Sequence, residues 1–150
     1  MKEVEVFKNY LPKDECEEYA SLIRDLGPGN FDWSERTVEI TNDSIVERVS
    51  DFFKEKLNLD LTISMAQLQN WHVGSEGALH LHKGRGTEES KYNSLIYLND
   101  DFEGGEFYTK NQIIKPQQGM LTIFDGSVTY HGVKEVKKKD RKTIILWWKK

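Results

Sequence analysis

The chain has 150 residues, of which 37% are hydrophobic, 31% charged and 11% aromatic, with a formal net charge of −4. This length predicts a single domain over residues 1–150 that can bury a core without disulfides. The composition excludes a disordered chain, and no apolar run is long enough to predict a membrane-spanning helix.

The first part of the chain, residues 1–58, is predicted to be a mainly helical support region. Residues 4–7 alternate weakly and indicate a short strand. Residues 11–26 predict a first helix, because Pro12 and acidic residues occupy its first turn and apolar residues recur at helical spacing. A second helix is predicted after the cap-like residues 41–43, with an apolar stripe at Ile45, Val46, Val49, Phe52 and Phe53.

Residues 59–150, predicted to form the core of the fold, have a different sequence pattern, in which short apolar and aromatic segments are separated by Gly, Asn, Asp and Pro. These segments predict strands near residues 61–70, 78–82, 93–99, 105–109, 112–115, 120–125 and 142–148. So many short strands are typical of a sandwich, barrel or jelly roll, and two helices ahead of them can cover one outer face.

Three of the four histidines form a candidate metal site. His80 and His82 are two residues apart on a predicted strand, so their side chains are expected on the same face. His131 follows a later apolar strand and a turn, whereas His72 precedes a glycine turn and is interpreted as structural. Two imidazoles on one face make half of a site for Zn, Fe, Ni or Cu. From these residues alone, an ordinary surface or hydrogen-bonded pair remains an equal alternative.

From about residue 66 to residue 148, the sequence resembles the iron(II)- and 2-oxoglutarate-dependent dioxygenases, in particular the prolyl 4-hydroxylase-like group. Gly74 stands six residues before His80, and residues 94–109 contain "YLN" and "GGE" elements similar to those of the family. Residues 113–133 resemble the family segment that carries the last metal ligand, here His131. Arg141 and Trp147 match the basic residue that binds 2-oxoglutarate and the terminal aromatic strand. Residues 7–23 resemble the leading strand and helix.

The resemblance implies a mainly β (α+β) fold, a double-stranded β-helix of the cupin-like jelly-roll type with two N-terminal helices on its outer face. It implies a hydroxylase of unactivated C–H bonds with Fe(II) as cofactor, 2-oxoglutarate as co-substrate and ascorbate as an admissible reductant. Arg141, assisted by Tyr97, would bind the far carboxylate of 2-oxoglutarate, although core packing is an equal interpretation of Tyr97. Gly104 and Gly105 are interpreted as a tight turn.

The sequence departs from the family at one ligand position, where His82 stands in place of the usual aspartate of an HxD pair. Three explanations are open. His80, His82 and His131 together hold the metal; or another carboxylate completes the site; or the site is impaired and the domain only binds ligands. The candidate carboxylates are Glu76, Glu88, Glu89 and Asp125.

The sequence gives weaker indications of the substrate, the partners and the cellular location. The resemblance suggests a peptidyl proline, another protein side chain or a small molecule, and residues 83–93 form either a substrate-covering loop or an ordinary solvent loop. A rival function is a three-histidine iron oxygenase that does not use 2-oxoglutarate. We expect no nucleic-acid or membrane partner, since the basic residues 134–142 lack an aromatic groove. The lone Cys16 and the charged N-terminus favour a cytoplasmic protein, and nothing indicates the oligomeric state.

Overall fold

The structure, a computed structural model, describes residues 1–25, 32–82 and 90–150. These residues contain the helices α1 (Lys13–Ala20), α2 (Trp33–Arg36) and α3 (Ser44–Leu57). The strands are β1 (Val4–Phe7), β2 (Thr37–Glu39), β3 (Thr62–Trp71), β4 (Gly77–His80), β5 (Tyr92–Tyr97), β6 (Glu103–Gly104), β7 (Phe107–Thr109), β8 (Ile113–Ile114), β9 (Leu121–Asp125), β10 (His131–Val133), β11 (Val136–Lys137) and β12 (Arg141–Lys149).

Two antiparallel sheets face one another and form the jelly roll. The larger sheet has the order β1-β9-β5-β12-β3-β2, and the smaller has the order β4-β10-β7-β8. A separate two-stranded ribbon pairs β11 with β6. Since neighbours in the larger sheet are far apart in sequence, residues from many parts of the chain meet on its inner face.

Strand β12 shows how the larger sheet separates a core from a cavity. Ile144, Leu146 and Trp148 are fully buried in the cluster that also contains residues of α1 and α3. Alternate residues face the other way, because successive side chains of a strand point to opposite faces. On that inner face, Ile145 and Trp147 line the cavity between the sheets.

The helices α1 and α3 pack on the outer face of the larger sheet. Val49 and Phe53 of α3 lie in the same buried cluster as Cys16 of α1, and the Phe53 ring contacts the Trp148 ring with centroids 5.3 Å apart. Asp43 caps α3 by accepting a 2.9 Å hydrogen bond from the Ile45 amide. None of the described helices is long and apolar enough to cross a membrane.

Several predicted boundaries need correction. The first helix ends at Ala20 rather than at residue 26, because the next amides bond three residues back, as in the 3.0 Å hydrogen bond from Leu22 N to Tyr19 O. The strand predicted over residues 105–109 begins later, at Phe107, and the preceding residues Glu103 and Gly104 form the separate strand β6 in a different sheet. Gly104 and Gly105, with φ of 65° and 66°, turn the chain between them. The short α2, β2, β6, β10 and β11 were not predicted.

Candidate active site

A cavity of about 230 Å³ lies between the inner faces of the two sheets. The larger sheet contributes residues of β3, β5, β9 and β12 to its lining, and the smaller sheet contributes residues of β4, β7 and β10. The lining is mainly apolar and aromatic. Its basic side chains are His80, His82, His131 and Arg141, so the cavity joins the three histidines and the arginine that the sequence singled out.

The three histidines converge from two neighbouring strands of the smaller sheet. His80 ends β4 and stands directly opposite His131, the first residue of β10. His82 lies two residues beyond β4. The ring centroids are 4.4 Å apart for His80 and His131, 4.5 Å for His82 and His131, and 5.2 Å for His80 and His82. One nitrogen of each ring lies within 4.8 Å of the other two.

Hydrogen bonds at the Nδ1 atoms fix how the three rings present themselves. His80 Nδ1 lies 2.8 Å from the Ala78 carbonyl oxygen, and His131 Nδ1 lies 2.8 Å from the Thr129 carbonyl oxygen. His82 Nδ1 lies 2.9 Å from Asn93 Oδ1. Because each of these oxygens can only accept, each Nδ1 carries the proton and each neutral ring keeps its lone pair on Nε2. This is the arrangement that a metal-ligating imidazole adopts.

The Nε2 atoms of His82 and His131 are 3.0 Å apart. Two ligands that each lie about 2.1 Å from one ion, at right angles to one another, would be separated by about 3.0 Å. The two nitrogens are therefore close enough together for both to contact one ion. His80 is the exposed member of the three and completes the group from the solvent side.

Burial keeps two of these imidazoles neutral. It lowers the pKa of His131 to about 4, with a further contribution from the neighbouring His82 and His80 against an opposing hydrogen bond to Thr129. Burial also lowers the pKa of His82, although the hydrogen bond to Asn93 opposes the shift. Since a metal ligand must be deprotonated, these two rings are ready to bind an ion at neutral pH.

The two candidate carboxylates within the described residues, Asp125 and Glu76, do not join this group. Both oxygens of Asp125 are engaged elsewhere, by the Ser127 amide and hydroxyl and by Lys91 Nζ at 3.0 Å. Burial alone would raise the pKa of Asp125, but these partners outweigh it and lower that pKa. Glu76 also lies outside the cluster. Glu88 and Glu89 lie outside the described residues, as does most of the predicted loop over residues 83–93.

Arg141 is a buried cation that pairs with no anionic side chain among the described residues. Its side chain is 2% exposed, and its Nε donates a 2.9 Å hydrogen bond to the Gly105 carbonyl oxygen. The guanidinium carbon lies 5.6 Å from the Trp71 ring centroid and 5.2 Å from the Tyr97 ring centroid. In the described part of the chain, no carboxylate forms an ion pair with it. A buried charge of this kind is costly unless an anion pairs with it, so the cavity suits an anionic ligand.

Tyr97 and Thr143 extend this polar region. The two residues are opposite one another in the ladder between β5 and β12, and both are fully buried. Neither hydroxyl has a hydrogen-bond partner among residues 1–25, 32–82 and 90–150. Burial raises the pKa of Tyr97 despite the nearby Arg141, so its phenol stays protonated and can donate. Two unused hydroxyls on the inner face support a polar ligand there.

Sequence reasoning missed the supporting roles of Gly105 and Asn93. Gly105 was assigned only to a turn, but its carbonyl oxygen holds the Arg141 side chain. An added Cβ there would lie 2.8 Å from the Phe102 ring and 3.1 Å from Arg141 Cδ. Asn93, Leu95 and Tyr97 are spaced two residues apart along β5, so their side chains lie on the same face of the sheet. This spacing was the available signal that Asn93 faces the cavity. His72 lies outside the cluster, as expected.

The sequence model of the 2OG-Fe(II) oxygenase superfamily matches residues 66–149. Among curated proteins, human Prolyl 3-hydroxylase 2 is 43% identical over 65 residues, which cover 38% of this chain and 9% of that protein. Prolyl 3-hydroxylase 1 of Gallus gallus is also 43% identical over 65 residues, with the same coverage. The chain thus matches less than a tenth of the length of these relatives.

Solved structures share the whole fold at low sequence identity. The viral collagen prolyl hydroxylase of Paramecium Bursaria Chlorella virus-1, solved as a 2OG complex, has a TM-score of 0.75 and 18% identity, with 99% of this chain and 96% of that chain covered. A Pseudomonas putida prolyl-4-hydroxylase has a TM-score of 0.76 and 17% identity, with 99% and 92% covered. These similarities confirm the predicted jelly roll.

Proposed function

Because this chain belongs to the 2OG-Fe(II) oxygenase superfamily, we propose that it is an Fe(II)- and 2-oxoglutarate-dependent hydroxylase of an unactivated C–H bond. The observation that carries the proposal is the joint presence, in one cavity, of three converging histidines and a buried arginine that forms no ion pair within residues 1–25, 32–82 and 90–150. The first set fits a metal ion, and the second fits a carboxylate.

His80, His82 and His131 would hold the metal through their Nε2 atoms. Their Nδ1 protons are already committed to oxygen acceptors, so the side chains need no change of tautomer to bind it. When bound, Fe(II) and 2-oxoglutarate supply the oxidising power, since one oxygen atom of O2 enters the substrate C–H bond while the other leaves in succinate, with release of CO2.

Arg141 would bind the far carboxylate of 2-oxoglutarate. Its Nε is held by the Gly105 carbonyl, so the remaining guanidinium edge is oriented by the protein before the ligand arrives. Tyr97 and Thr143 would donate their unpartnered hydroxyls to the same region. The surrounding apolar residues of the cavity exclude water and strengthen these charge-assisted hydrogen bonds.

The third histidine changes the charge of the site. A neutral imidazole at position 82 leaves the metal centre one unit more positive than an aspartate would. Anionic co-ligands such as the keto acid end of 2-oxoglutarate are therefore favoured. For the same reason, we do not expect a missing carboxylate to abolish binding of the co-substrate.

A peptidyl proline is the substrate class that we propose. The related proteins include prolyl 3-hydroxylases, and the similar structures include a prolyl-4-hydroxylase. The proposal therefore does not specify which carbon of the proline ring is hydroxylated. One neighbour, a prolyl hydroxylase of Trichoplax adhaerens, was solved with a hypoxia inducible factor peptide fragment, at a TM-score of 0.69 and 17% identity. The aromatic cavity walls at Trp33, Trp71 and Trp147 suit the apolar face of a proline ring.

The test is turnover of 2-oxoglutarate with a panel of proline-containing peptides. We expect succinate to form in equal amount to a peptide product heavier by one oxygen atom, and Arg141→Ala to suppress both. A second candidate, an oxygenase that does not use 2-oxoglutarate, is favoured by the three-histidine cluster. It would oxidise substrate without forming succinate, whereas a binding module would form neither product.

A further inference from the structure

We propose that Asn93 is a positioning residue that holds His82 as a metal ligand, and that Gly126 provides the space for this pair. The inference rests on the proposed function and concerns the one ligand position at which this chain departs from its family. It assigns a role to two residues that belong neither to the proposed metal ligands nor to the proposed co-substrate site.

Among the residues that the structure describes, Asn93 makes one side-chain hydrogen bond, and its partner is His82. The residue is fully buried on β5, and its Oδ1 accepts from His82 Nδ1 at 2.9 Å. Its Nδ2 is buried and has no hydrogen-bond partner among the residues that the structure describes. A buried amide with an unmet donor lowers the stability of the fold. The contact with His82 is the feature that accounts for an asparagine at this position.

His82 depends on this contact more than the other two histidines depend on theirs. His80 and His131 donate to carbonyl oxygens two residues away on their own segments, Ala78 and Thr129. His82 lies beyond the end of β4, and its Nδ1 acceptor is a side chain from β5, in the other sheet. Its ring orientation and tautomer are therefore set by the Asn93 side chain rather than by local backbone.

Gly126 keeps the space beside this hydrogen bond empty. A Cβ added at position 126 would lie 2.3 Å from Asn93 Oδ1 and 2.6 Å from His82 Nδ1, closer than real Cβ contacts allow. The Gly126 carbonyl oxygen also accepts a 2.8 Å hydrogen bond from the His82 amide. The backbone of His82 is thus anchored to Gly126, while the ring packs over the site where a side chain would be.

Without the Asn93 acceptor, the His82 ring can rotate or move its proton to Nε2, and either change removes the lone pair from the metal position. Loss of such an outer hydrogen bond costs about 10- to 100-fold in metal affinity. The Asn93 contribution is specific to a histidine at position 82, because an aspartate ligand has no ring tautomer to fix.

The test is anaerobic titration of the whole chain with Co(II), followed by visible absorption and calorimetry, together with thermal unfolding of the metal-free proteins. The variants are Asn93→Leu, Asn93→Asp and Gly126→Ala, with His82→Ala as reference. We expect Asn93→Leu and Gly126→Ala to bind Co(II) about 10- to 100-fold more weakly. Asn93→Asp should bind within a few-fold of the parent, because it keeps an acceptor for Nδ1. Asn93→Leu should unfold close to the parental temperature, since it removes one unmet donor but leaves His82 Nδ1 without its acceptor.

Unchanged Co(II) affinity in Asn93→Leu would overturn the inference, and so would equal losses in Asn93→Leu and Asn93→Asp. Even if Gly126→Ala does not fold, the comparison of Asn93→Leu with Asn93→Asp tests the role of Asn93. Failure of the proposed function has a different signature: the parent would bind no Co(II), or would bind it as tightly as His82→Ala.

Discussion

Arg141 is the residue whose surroundings say most about a ligand. It is almost fully buried, and the described residues offer it a carbonyl oxygen and two aromatic rings but no carboxylate. Water is largely excluded, so the charge is compensated only when an anion enters the cavity. We therefore propose that Arg141 is a binding group for an anionic ligand.

Arg141→Ala is predicted to weaken 2-oxoglutarate binding by on the order of 2–5 kcal/mol, because a charge-assisted, bidentate hydrogen-bonded pair with the carboxylate is lost. Calorimetry with the metal-loaded protein measures the change. Lys142→Ala is the matched control, since the neighbouring Lys142 pairs with Asp25 at 2.7 Å. Unchanged affinity in Arg141→Ala would remove this residue from the co-substrate site.

Tyr97→Phe is predicted to weaken 2-oxoglutarate binding by roughly 1.5–3 kcal/mol, the value of one hydrogen bond to a charged group. The unfolding free energy should be unchanged or slightly higher, because the Tyr97 hydroxyl has no partner among the described residues. Parallel calorimetry and denaturant unfolding distinguish the two effects. Equal binding by both proteins would leave Tyr97 a core residue alone.

The buried His131 makes the stability of the metal-free protein depend on pH. Its folded pKa of about 4 lies below the ordinary value of 6.5, so between these pH values the unfolded chain binds more protons than the folded one. The contribution of His131 to the free energy of unfolding should therefore be fully present above pH 6.5. It should be lost as the pH falls toward 4, by at most about 1.4 kcal/mol per pH unit. Denaturant unfolding of the parent and of His131→Gln across this range measures the difference. A slope as steep in His131→Gln would assign it to other groups.

At the scale of elements, β12 joins the stability of the fold to the site. Its outward residues pack under the helices, and its inward residues line the cavity, so one strand serves both layers. Its two neighbours, β3 and β5, pair with it along most of its length. Because the two faces alternate, changes on one face should leave the other nearly undisturbed.

Leu146→Ala is predicted to destabilise the protein by about 2–5 kcal/mol, since it opens a cavity in a fully buried cluster. The affinity for 2-oxoglutarate should stay within a few-fold of the parental value. Unfolding by urea and calorimetry on the folded variant measure the two quantities. A large loss of affinity with little loss of stability would contradict the division of β12 into two faces.

The long elements were predictable from the sequence because their signals are periodic. The apolar stripe of α3 and the alternation in β1, β3, β5, β9 and β12 place these elements within about two residues of where they occur. The strands β2, β10 and β11 have only two or three residues, which is too few for a period to show. Their existence depends on partners distant in sequence, such as Thr109 opposite His131.

At the scale of the whole molecule, the jelly roll brings residues that are far apart in the sequence, such as His80 and Arg141, into the lining of one cavity. The approach of His80, His82 and His131 was expected from the family resemblance and the alternation of strands, and the cluster is present. The supporting contacts of Asn93 and Gly105 were not expected, because each depends on a side chain meeting a residue of a different strand. Pairing of this kind has no signature in a single sequence.

The whole domain should be stabilised when its ligands bind, because the metal and 2-oxoglutarate are expected to bind only the folded chain. Thermal unfolding with Mn(II) and 2-oxoglutarate together should occur at a higher temperature than with either alone. In Arg141→Ala, the increment from 2-oxoglutarate should disappear while the increment from Mn(II) remains. Loss of both increments in that variant would mean that Arg141 maintains the fold of the cavity rather than binding the co-substrate.

We propose that three histidines, including His82, hold a metal that 2-oxoglutarate chelates. The direct measurement is anaerobic titration with Fe(II) and then 2-oxoglutarate, read as visible absorption and iron content, on the parent, His82→Ala and His82→Asp. We predict a weak charge-transfer band in the parent that needs both additions, loss of iron and of the band in His82→Ala, and retention of both in His82→Asp. No band in the parent, or full iron occupancy with the band retained in His82→Ala, would contradict the claim.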